Sequence, residues 1–325
     1  MKKLMIYGAT GYMGRMAAEY AAAQGLDVII AGRNQEKLRA LATQLNVPYR
    51  IFMPDALTPE MLSGVAALLN CAGPFAQTAS ALMQTCINAG VDYLDITAEI
   101  KVYELAERMG TKAAESGVML LPGVGWDVVP TDCLAVHVAR RVQAPQSIKI
   151  ALQVAGSMSR GSARSVSEII GAGLLARIDG AVVATPAAQP RSFDFGDGPE
   201  LCAPLSFGDL ITSWHSTGIP NISMFVHFSG DPIPQADIST LPEGPDVHQR
   251  ENHRARAVAE VTGADGAVAR SIIETVNGYT YTPLAAVEAA RRVLAGKRQP
   301  GFETPARLLG VEFAESIAGT TITDL

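Results

Sequence analysis

The first 34 residues alternate in an order that few folds accommodate. An apolar run, Lys2–Tyr7, leads into a loop of sequence GATGYMG, and an Ala-rich segment then precedes a second apolar run, Leu26–Ala31. Their lengths and composition predict a strand, a glycine loop, a helix and a strand. This unit is the one that holds a dinucleotide at the carboxyl edge of a parallel sheet.

The three glycines of the loop indicate how such a ligand would be held. Gly8 is expected to allow the tight turn, Gly11 to let the backbone approach a pyrophosphate, and Gly14 to let the helix pack closely on the strand. The N–H groups at the start of the helix would then face the phosphates. The alternative is a glycine-rich turn without a ligand. The residues of this loop predicted to contact a cofactor are Gly8, Thr10, Gly11, Tyr12 and Met13.

The end of the second strand indicates which dinucleotide is bound. NAD sites usually carry an acidic residue there to hold the ribose 2′-hydroxyl, whereas an Arg accommodates the 2′-phosphate of NADP. Here Arg33 and Asn34 end the strand, Lys37 follows, and no carboxylate precedes Glu36. A guanidinium can donate two hydrogen bonds to one phosphate. We therefore predict NADP, bound by Arg33, Asn34 and Lys37; the alternative for Arg33 is a solvated residue at a strand end.

Composition excludes several classes of protein. A chain of 325 residues is long enough for two domains, and 48% hydrophobic against 18% charged residues is typical of a globular protein with a large core. The net charge of −6 argues against a nucleic-acid surface. Four cysteines without metal-ligand spacing predict buried thiols of a reducing compartment and no metal. With no room for a signal peptide before the first strand and no membrane-spanning run, we expect a cytoplasmic protein.

The first third of the chain continues to alternate short buried strands with amphipathic helices. This pattern predicts an α/β fold, a doubly wound Rossmann-type parallel sheet. After the first two strands, the predicted strands are Tyr49–Met53, Val65–Asn70, Val91–Ile96 and Val118–Leu121, and the predicted helices are one capped by Asn34, Gln77–Ala89 and Lys101–Ser116.

Beyond Gly125 the pattern changes to one that predicts a second, α+β domain. The expected elements are a helix from Pro130 to about Arg141, a strand Ile148–Val154, a helix Ser162–Arg177, short strands across Val182–Ser229, a hairpin of Arg254–Val261 with Ala267–Val276, and a helix from Thr282 to Ala295. Residues 1–125 would form the NADP-binding domain, 126–281 the substrate and dimerisation domain, and 282–325 a helical segment that packs back on the first.

Two surface features are also expected in the second domain. Alternating apolar positions through Ile219–Phe228 predict a homodimer formed through this domain, and Pro232–Pro245 is expected to be an exposed loop.

Four segments of the chain resemble the saccharopine dehydrogenase-like family, including its trans-acting enoyl reductase branch. They are GATGYMGR at 8–15, AGRN at 31–34, NCAGPF at 70–75 followed by GVDYLDITAE at 90–99, and PGVGWDVVPTD at 122–132. Their order and spacing cover about the first 40% of the chain. The resemblance implies a nicotinamide-dependent reductase.

Short-chain dehydrogenases share a GATGxxG loop, but they also use a Tyr and a Lys four residues apart. None of the lysines here has a tyrosine four residues before it, so a short-chain mechanism is not expected, and the alternative is a degenerate cofactor-binding relative of that class. In a doubly wound sheet the ligand lies beyond the carboxyl ends of the strands. The loop after the fourth strand is therefore predicted to contact the cofactor through Cys71, Ala72, Gly73 and Pro74. We expect Cys71 to be a buried thiol and not a nucleophile.

Asp127 is the first candidate for a proton donor. It lies in the loop after the sixth strand, where Trp126 would supply an apolar wall that raises the pKa of the carboxyl group. The alternative is a hydrogen bond at the domain junction.

Other residues compete for the role of proton donor. His215, on a predicted strand, is the second candidate, with a packed or surface histidine as its alternative. Glu99 and Tyr12 are further candidates, and Asp132 is better explained as a helix cap.

The segment 157–164, of sequence SMSRGSAR, precedes a predicted helix. Two guanidinium groups and the helix N-terminus would form an anion pocket for a substrate carboxylate or phosphate, and the alternative is a solvated capping loop.

Together these observations predict an NADPH-dependent oxidoreductase that transfers a hydride to a C=N or activated C=C bond of a small-molecule substrate. The alternative is a non-catalytic NADP sensor or scaffold.

Overall fold

A computed structural model describes residues 2–229 and 240–325. By their internal contacts, the residues divide into two compact units. The first unit consists of the chain up to Thr97, Lys101–Gly125 and Thr282–Glu303, and the second of Ala98–Ile100, Trp126–Tyr281 and Thr304–Leu325.

The strands, in chain order, are β1 (Lys3–Tyr7), β2 (Val28–Gly32), β3 (Tyr49–Ile51), β4 (Val65–Asn70), β5 (Asp92–Asp95), β6 (Met119–Leu121), β7 (Pro145–Ala155), β8 (Leu175–Ile178), β9 (Ala181–Ala184), β10 (Arg191–Asp194), β11 (Pro199–Pro204), β12 (Asn221–Ser229), β13 (Ala255–Gly263), β14 (Val268–Thr275), β15 (Gly301–Phe302) and β16 (Thr321–Asp324). The helices are α1 (Tyr12–Ala23), α2 (Gln35–Leu45), α3 (Phe75–Ala89), α4 (Ile100–Glu115), α5 (Val129–Ala139), α6 (Arg160–Gly171), α7 (Asp209–Thr217), α8 (Val247–Glu251), α9 (Gly278–Leu294) and α10 (Pro305–Leu309).

The first unit is built on a parallel sheet with the strand order β15-β6-β5-β4-β1-β2-β3. The order reverses between β1 and β4, which is the switch point of a doubly wound fold. Every residue of β2 is buried, as expected for a strand covered on both faces. The predicted α/β fold is thus confirmed, with its six strands in place. β15 was not predicted, because two residues are too short to show a periodic pattern.

Local signals explain where the helices of this unit begin and end. The Asn34 side chain accepts a hydrogen bond from the Lys37 N–H at 2.9 Å and caps α2 as predicted. Asn46 and Gly90, both in the left-handed region, end α2 and α3. The face that α1 buries consists of small residues, Gly14, Ala17, Ala18 and Ala21, which lets the helix pack close to the sheet.

The second unit is built on a mixed sheet with the order β10-β11-β12-β7-β13-β14-β16, and β8 pairs with both β12 and β9. β12 and β7 are parallel, whereas β13 is antiparallel to β7 and β14. Helices α5 and α7 pack on one face of this sheet. On the other face, Phe193 and Phe225 have ring centroids 5.1 Å apart within a buried cluster. The predicted second α+β domain and its 254–276 hairpin are confirmed.

Three predicted elements of the second unit were wrong in part. The helix predicted over Ser162–Arg177 ends at Gly171, because Gly173 has a φ of +79° and the chain then enters β8. Residues 209–217 are the helix α7, although their β-branched and aromatic content favoured a strand. The helix predicted from Thr282 begins at Gly278, where Asn277 accepts a hydrogen bond from the Tyr279 N–H at 3.0 Å, and Pro283 lies inside it.

The predicted C-terminal segment, 282–325, is shared between the two units. Its first part adds β15 to the first sheet, and Arg298 donates two hydrogen bonds, of 2.6 and 2.7 Å, to the buried carboxylate of Asp92. Its last part, from Thr304, adds β16 to the second sheet. The expectation that all of it packs on the first unit is therefore corrected for Thr304–Leu325.

The apolar positions of β12 on which the homodimer prediction rests lie inside the second unit. Ile222, Met224 and Val226 of β12 are buried within the second unit, so they offer no apolar surface to a partner, and the homodimer stays a prediction. Most of the predicted loop Pro232–Pro245 lies outside the described residues.

None of the helices over 2–229 and 240–325 combines the length and apolar character needed to cross a bilayer.

Candidate functional site

The glycine loop has the geometry expected of a dinucleotide cradle. Gly8, with a φ of +80°, donates a hydrogen bond to the Ala31 carbonyl at 2.9 Å, and the Gly11 N–H closes the turn onto the Gly8 carbonyl at 2.9 Å. A methyl group on Gly14 would lie 2.2 Å from that same carbonyl oxygen. Only glycine therefore permits this approach of α1 to the loop, as predicted from the sequence.

The space above the loop is open. Gly11 is exposed, and in the described part of the chain, apart from its chain neighbours, a methyl group there would have only the Gly8 carbonyl oxygen within 4 Å, at 3.3 Å. Thr10, Tyr12 and Met13 are half-buried around the start of α1. Because first-turn N–H groups of a helix have no intrahelical acceptor, this end of α1 fits an anionic pyrophosphate.

The end of β2 presents cationic side chains. Arg33 and Lys37 are both exposed, and Asn34 is held in place by its capping bond to α2. The nearest carboxylate along the chain is Glu36, which is exposed in the first turn of α2. These side chains fit a 2′-phosphate better than a 2′-hydroxyl, which calls for a strand-end carboxylate.

The loop after β4 lies against the glycine loop. A methyl group on Gly8 would come within 2.8 Å of the Ala72 Cβ atom, and the Cys71 N–H donates to the Tyr7 carbonyl at 2.9 Å. Gly73 is exposed and is followed by a cis peptide bond to Pro74. Burial raises the pKa of the Cys71 thiol, and the charge of Asp95 raises it further. Cys71 is half-buried and not fully buried as expected, and the raised pKa keeps its thiol protonated; that it is not a nucleophile stays a prediction.

Beneath these loops lies a buried polar network that sequence reasoning missed. Asn70, Tyr93 and Asp95 are fully buried and hydrogen-bonded to one another in series. Asp95 also accepts hydrogen bonds from the N–H groups of Thr97 and Gly123, at 3.0 and 2.9 Å. The polar residues at the ends of β4 and β5 were a signal that could have found it.

In the second unit, Asp127 is half-buried, and burial raises the pKa of its carboxyl group to about 6. Trp126 does not form the apolar wall that was expected. Its side chain is buried, its indole N–H donates to the Thr275 hydroxyl at 2.9 Å, and its ring packs on Gly278. The wall is absent because Trp126 belongs to the core of the second unit.

Tyr279 lies near Asp127, whose charge contributes to raising the tyrosine pKa after the larger effect of burial. The Tyr279 hydroxyl accepts a hydrogen bond from the Ser159 N–H at 2.7 Å and donates to the Ser162 hydroxyl at 3.0 Å. The start of α9 is thereby tied to the start of α6. These contacts join residues about 120 positions apart, so no local pattern predicts them.

The predicted anion pocket at 157–164 does not form as expected. The Arg160 guanidinium donates to the Leu241 carbonyl at 2.7 and 3.0 Å, Arg164 is exposed, and Ser159 caps α6 by accepting from the Ser162 N–H at 3.0 Å. The capping part of the alternative is found, but not its solvated character, because Ser159 is buried and Arg160 donates to a protein carbonyl. One turn further along, Ser165 donates to the buried carboxylate of Glu99 at 3.1 Å.

The remaining candidates lie elsewhere in the second unit. His215 is in the last turn of α7, next to Trp214, and not on the predicted strand. Asp132 is not a helix cap: it lies inside α5, and its Oδ2 atom accepts from the Ala306 N–H at 2.8 Å. Asp132 and Asp209 are both fully buried, and each carboxyl group has one oxygen without a hydrogen-bond partner in the described part of the chain.

Over residues 2–229 and 240–325, no group of three or more His, Cys, Asp or Glu side chains is placed to hold a metal ion. All four cysteines are free thiols.

Comparison with known proteins bears on the first unit most directly. Residues 4–121 match the family model described as the saccharopine dehydrogenase NADP binding domain. The resemblance drawn from the sequence is confirmed over this segment, and the family description agrees with the NADP predicted from the end of β2.

Two curated relatives match part of the chain. The trans-acting enoyl reductase of Mycobacterium tuberculosis H37Rv is 30% identical over 148 residues, which are 42% of this chain and 35% of that protein. The trans-acting enoyl reductase of Mycobacterium ulcerans is 28% identical over 149 residues, 43% of this chain and 36% of that protein. The match thus spans about a third of the length of these relatives.

Among solved structures, the apo saccharopine dehydrogenase (L-Glu forming) from Saccharomyces cerevisiae has a TM-score of 0.68 over 100% of both chains, at 13% sequence identity. This similarity supports the two-part α/β architecture.

Proposed function

We propose that the chain is an NADP-dependent oxidoreductase, because residues 4–121 match the family model described as the saccharopine dehydrogenase NADP binding domain. It would transfer a hydride from NADPH to a C=N or activated C=C bond of a small-molecule substrate. The observation that carries the proposal is the glycine loop, in which Gly14 lies so close to the Gly8 carbonyl that no other residue fits. The name of the mycobacterial relatives, trans-acting enoyl reductase, supports reduction of an activated C=C bond.

The residues that would hold the cofactor come from three strand ends of one sheet. NADPH, when bound, supplies the hydride; the chain's own residues bind and orient it. Backbone N–H groups of the glycine loop would bind the pyrophosphate, the cationic end of β2 the 2′-phosphate, and the loop after β4 the other half of the dinucleotide. The residues are Gly8, Thr10, Gly11, Tyr12, Met13, Arg33, Asn34, Lys37, Cys71, Ala72, Gly73 and Pro74.

Asp127 is the proposed proton donor. A carboxyl group with a pKa of about 6 is partly protonated near neutral pH, so it can donate its proton to the substrate during the reaction. The Tyr279 hydroxyl is hydrogen-bonded to Ser159 and Ser162, and it lies close enough to Asp127 for the carboxylate charge to raise the tyrosine pKa. His215 is the second candidate for this role.

The experiment that tests the proposal is NADPH oxidation by the purified protein against a panel of imines, enones and enoyl thioesters. We expect turnover with at least one class and a preference for NADPH over NADH. Measuring NADPH affinity in parallel separates the outcomes. Tight binding without turnover on any substrate would favour a sensor or scaffold, and absence of NADPH binding would contradict the proposal altogether.

A further inference from the structure

We propose that Asn70, Tyr93 and Asp95 are positioning residues of the cofactor site. Through hydrogen bonds of fixed direction, they hold the loop after β4 where the nicotinamide half of the dinucleotide would bind. The inference rests on the proposed NADP site and concerns residues that do not touch the cofactor themselves, since all three side chains are fully buried.

The network begins at Asp95, which fastens two loops of the sheet edge. One carboxylate oxygen accepts hydrogen bonds from the Thr97 N–H at 3.0 Å and the Gly123 N–H at 2.9 Å, and the other accepts from the Tyr93 hydroxyl at 2.9 Å. The Asp95 carbonyl also accepts from the Val124 N–H at 2.8 Å. The loops after β5 and β6 are thus joined through one side chain.

The direction of each following hydrogen bond is determined by chemistry. A carboxylate only accepts, so Tyr93 donates to Asp95, and its oxygen is left to accept from the Asn70 amide at 3.1 Å. Burial and the charge of Asp95 raise the pKa of Tyr93 well above its ordinary value, so the hydroxyl keeps the hydrogen it donates.

A second constraint fixes Asn70 from the other side. The Thr78 hydroxyl donates its one hydrogen to the Ala72 carbonyl at 2.8 Å, so towards Asn70 it can only accept, at 3.0 Å. Both Tyr93 and Thr78 therefore require the NH₂ group of Asn70. The amide oxygen is left to accept from the Ala72 N–H at 3.0 Å. One arrangement of hydrogens satisfies every group.

The network acts on the cofactor site through Ala72. Its N–H and its carbonyl are both held, by Asn70 and Thr78, and its Cβ atom lies where a methyl group on Gly8 would clash. In a doubly wound sheet, β1 and β2 serve one half of the dinucleotide and the half-sheet beginning at β4 serves the other. Because Arg33 marks the adenosine side, Ala72 lies on the nicotinamide side.

The test compares two ligands of different length. NADPH spans both halves of the site, whereas 2′,5′-ADP carries only the adenosine half with its 2′-phosphate. For Tyr93→Phe we expect NADPH affinity to fall about fivefold, the effect of one buried hydrogen bond, with 2′,5′-ADP affinity unchanged. Asp95→Asn should cost NADPH about tenfold, because its NH₂ group and that of Asn70 would both point at the Tyr93 oxygen.

Tyr281→Phe is the matched control. It removes another fully buried tyrosine hydroxyl, bonded to the Ala314 carbonyl at 3.3 Å in the second unit, and should leave both affinities unchanged. Thermal unfolding of each variant checks that it folds. If Asp95→Asn does not fold, Tyr93→Phe still tests the proposal. Equal weakening of both ligands, or no change in either, would overturn the positioning role. If the wild type binds neither ligand, the proposed NADP function fails instead.

Discussion

Replacing Asp132 by Asn is expected to stabilise the second unit more at pH 8 than at pH 5. Asp132 and Asp209 share a fully buried region, and the charge of Asp132 is among the causes that raise the Asp209 pKa. One oxygen of each carboxyl group is held, by the Ala306 N–H at 2.8 Å and by the Ser213 hydroxyl at 3.3 Å. The amide oxygen of Asn can still accept the hydrogen bond from the Ala306 N–H, and the substitution removes the negative charge of Asp132 from beside Asp209.

The magnitude follows from proton linkage. Burial raises the pKa of Asp132 from 3.8 to about 6, and that of Asp209 well above its ordinary value. A carboxyl group with a raised folded-state pKa binds its proton more tightly when folded. Its stabilising contribution is full below the unfolded-state pKa and is lost as the pH rises through the folded-state pKa. At about 1.4 kcal/mol per pKa unit, the full contribution of Asp132 is about 3 kcal/mol, of which about 1.4 kcal/mol is lost between pH 5 and pH 8.

The groups around Asp132 offset only part of this effect. Hydrogen bonds from Ser216, Thr304 and the Ala306 N–H lower the Asp132 pKa, but by less than burial raises it. Cys133 lies close to both carboxyl groups, and Glu312 lies close to Cys133. Burial raises the pKa of the Cys133 thiol, so Cys133 adds no charge below pH 9.

The assay is urea unfolding followed by tryptophan fluorescence at pH 5 and pH 8. Both tryptophans of the chain, Trp126 and Trp214, lie in the second unit, so their emission reports its unfolding. The wild type should lose stability between the two pH values, and Asp132→Asn should lose about 1–1.5 kcal/mol less. Asp265→Asn makes the same chemical change at an exposed carboxylate and should behave as wild type. An Asp132→Asn variant with the full pH dependence of the wild type, or one destabilised equally at both pH values, would refute this reasoning.

Three further predictions concern the cofactor unit and the proposed reaction. Arg33→Ala should weaken NADP binding about tenfold to a hundredfold and leave NAD binding nearly unchanged, because one charge-assisted contact to the phosphate is lost; fluorescence titration with both nucleotides checks it, and equal weakening would contradict it. Asp127→Asn should lower turnover about 10²–10⁴-fold with NADPH affinity retained, and steady-state rates that survive the change would remove Asp127 as the acid. Gly14→Ala should abolish NADPH binding or folding, because its methyl group would lie 2.2 Å from the Gly8 carbonyl oxygen, whereas Gly171→Ala, with nothing within 4 Å, should be tolerated. Circular dichroism and titration of both variants test this contrast.

The features that could be predicted are those with a local cause. The tight turn at Gly8, the close packing at Gly14 and the cap at Asn34 each depend on residues within a few positions, and the structure contains all three. The alternation of short apolar runs with amphipathic segments was enough to predict a doubly wound parallel sheet, because right-handed crossovers leave few other topologies.

The features that escaped prediction depend on distant partners. Tyr279 is hydrogen-bonded to Ser159, and Asp132 to Ala306, although each pair is more than a hundred residues apart in the sequence. Neither pairing has a periodic signature. α7 was mistaken for strands because its packing on β12 overrides its local propensity. Trp126 was assigned to a pocket wall because a sequence does not show that Thr275 and Gly278 surround it.

The division of the C-terminal segment between the two units has a consequence for synthesis on the ribosome. The first unit receives β15 and the Arg298–Asp92 ion pair only after all of Trp126–Tyr281 has been translated. At about 5–20 residues per second, the first unit waits on the order of ten seconds or more with the edge of β6 unpaired. The second unit is completed later still, by β16. A nascent chain stalled before Thr282 would therefore expose an incomplete sheet in both units, so the final stretch of translation is the step at which chaperone protection matters most.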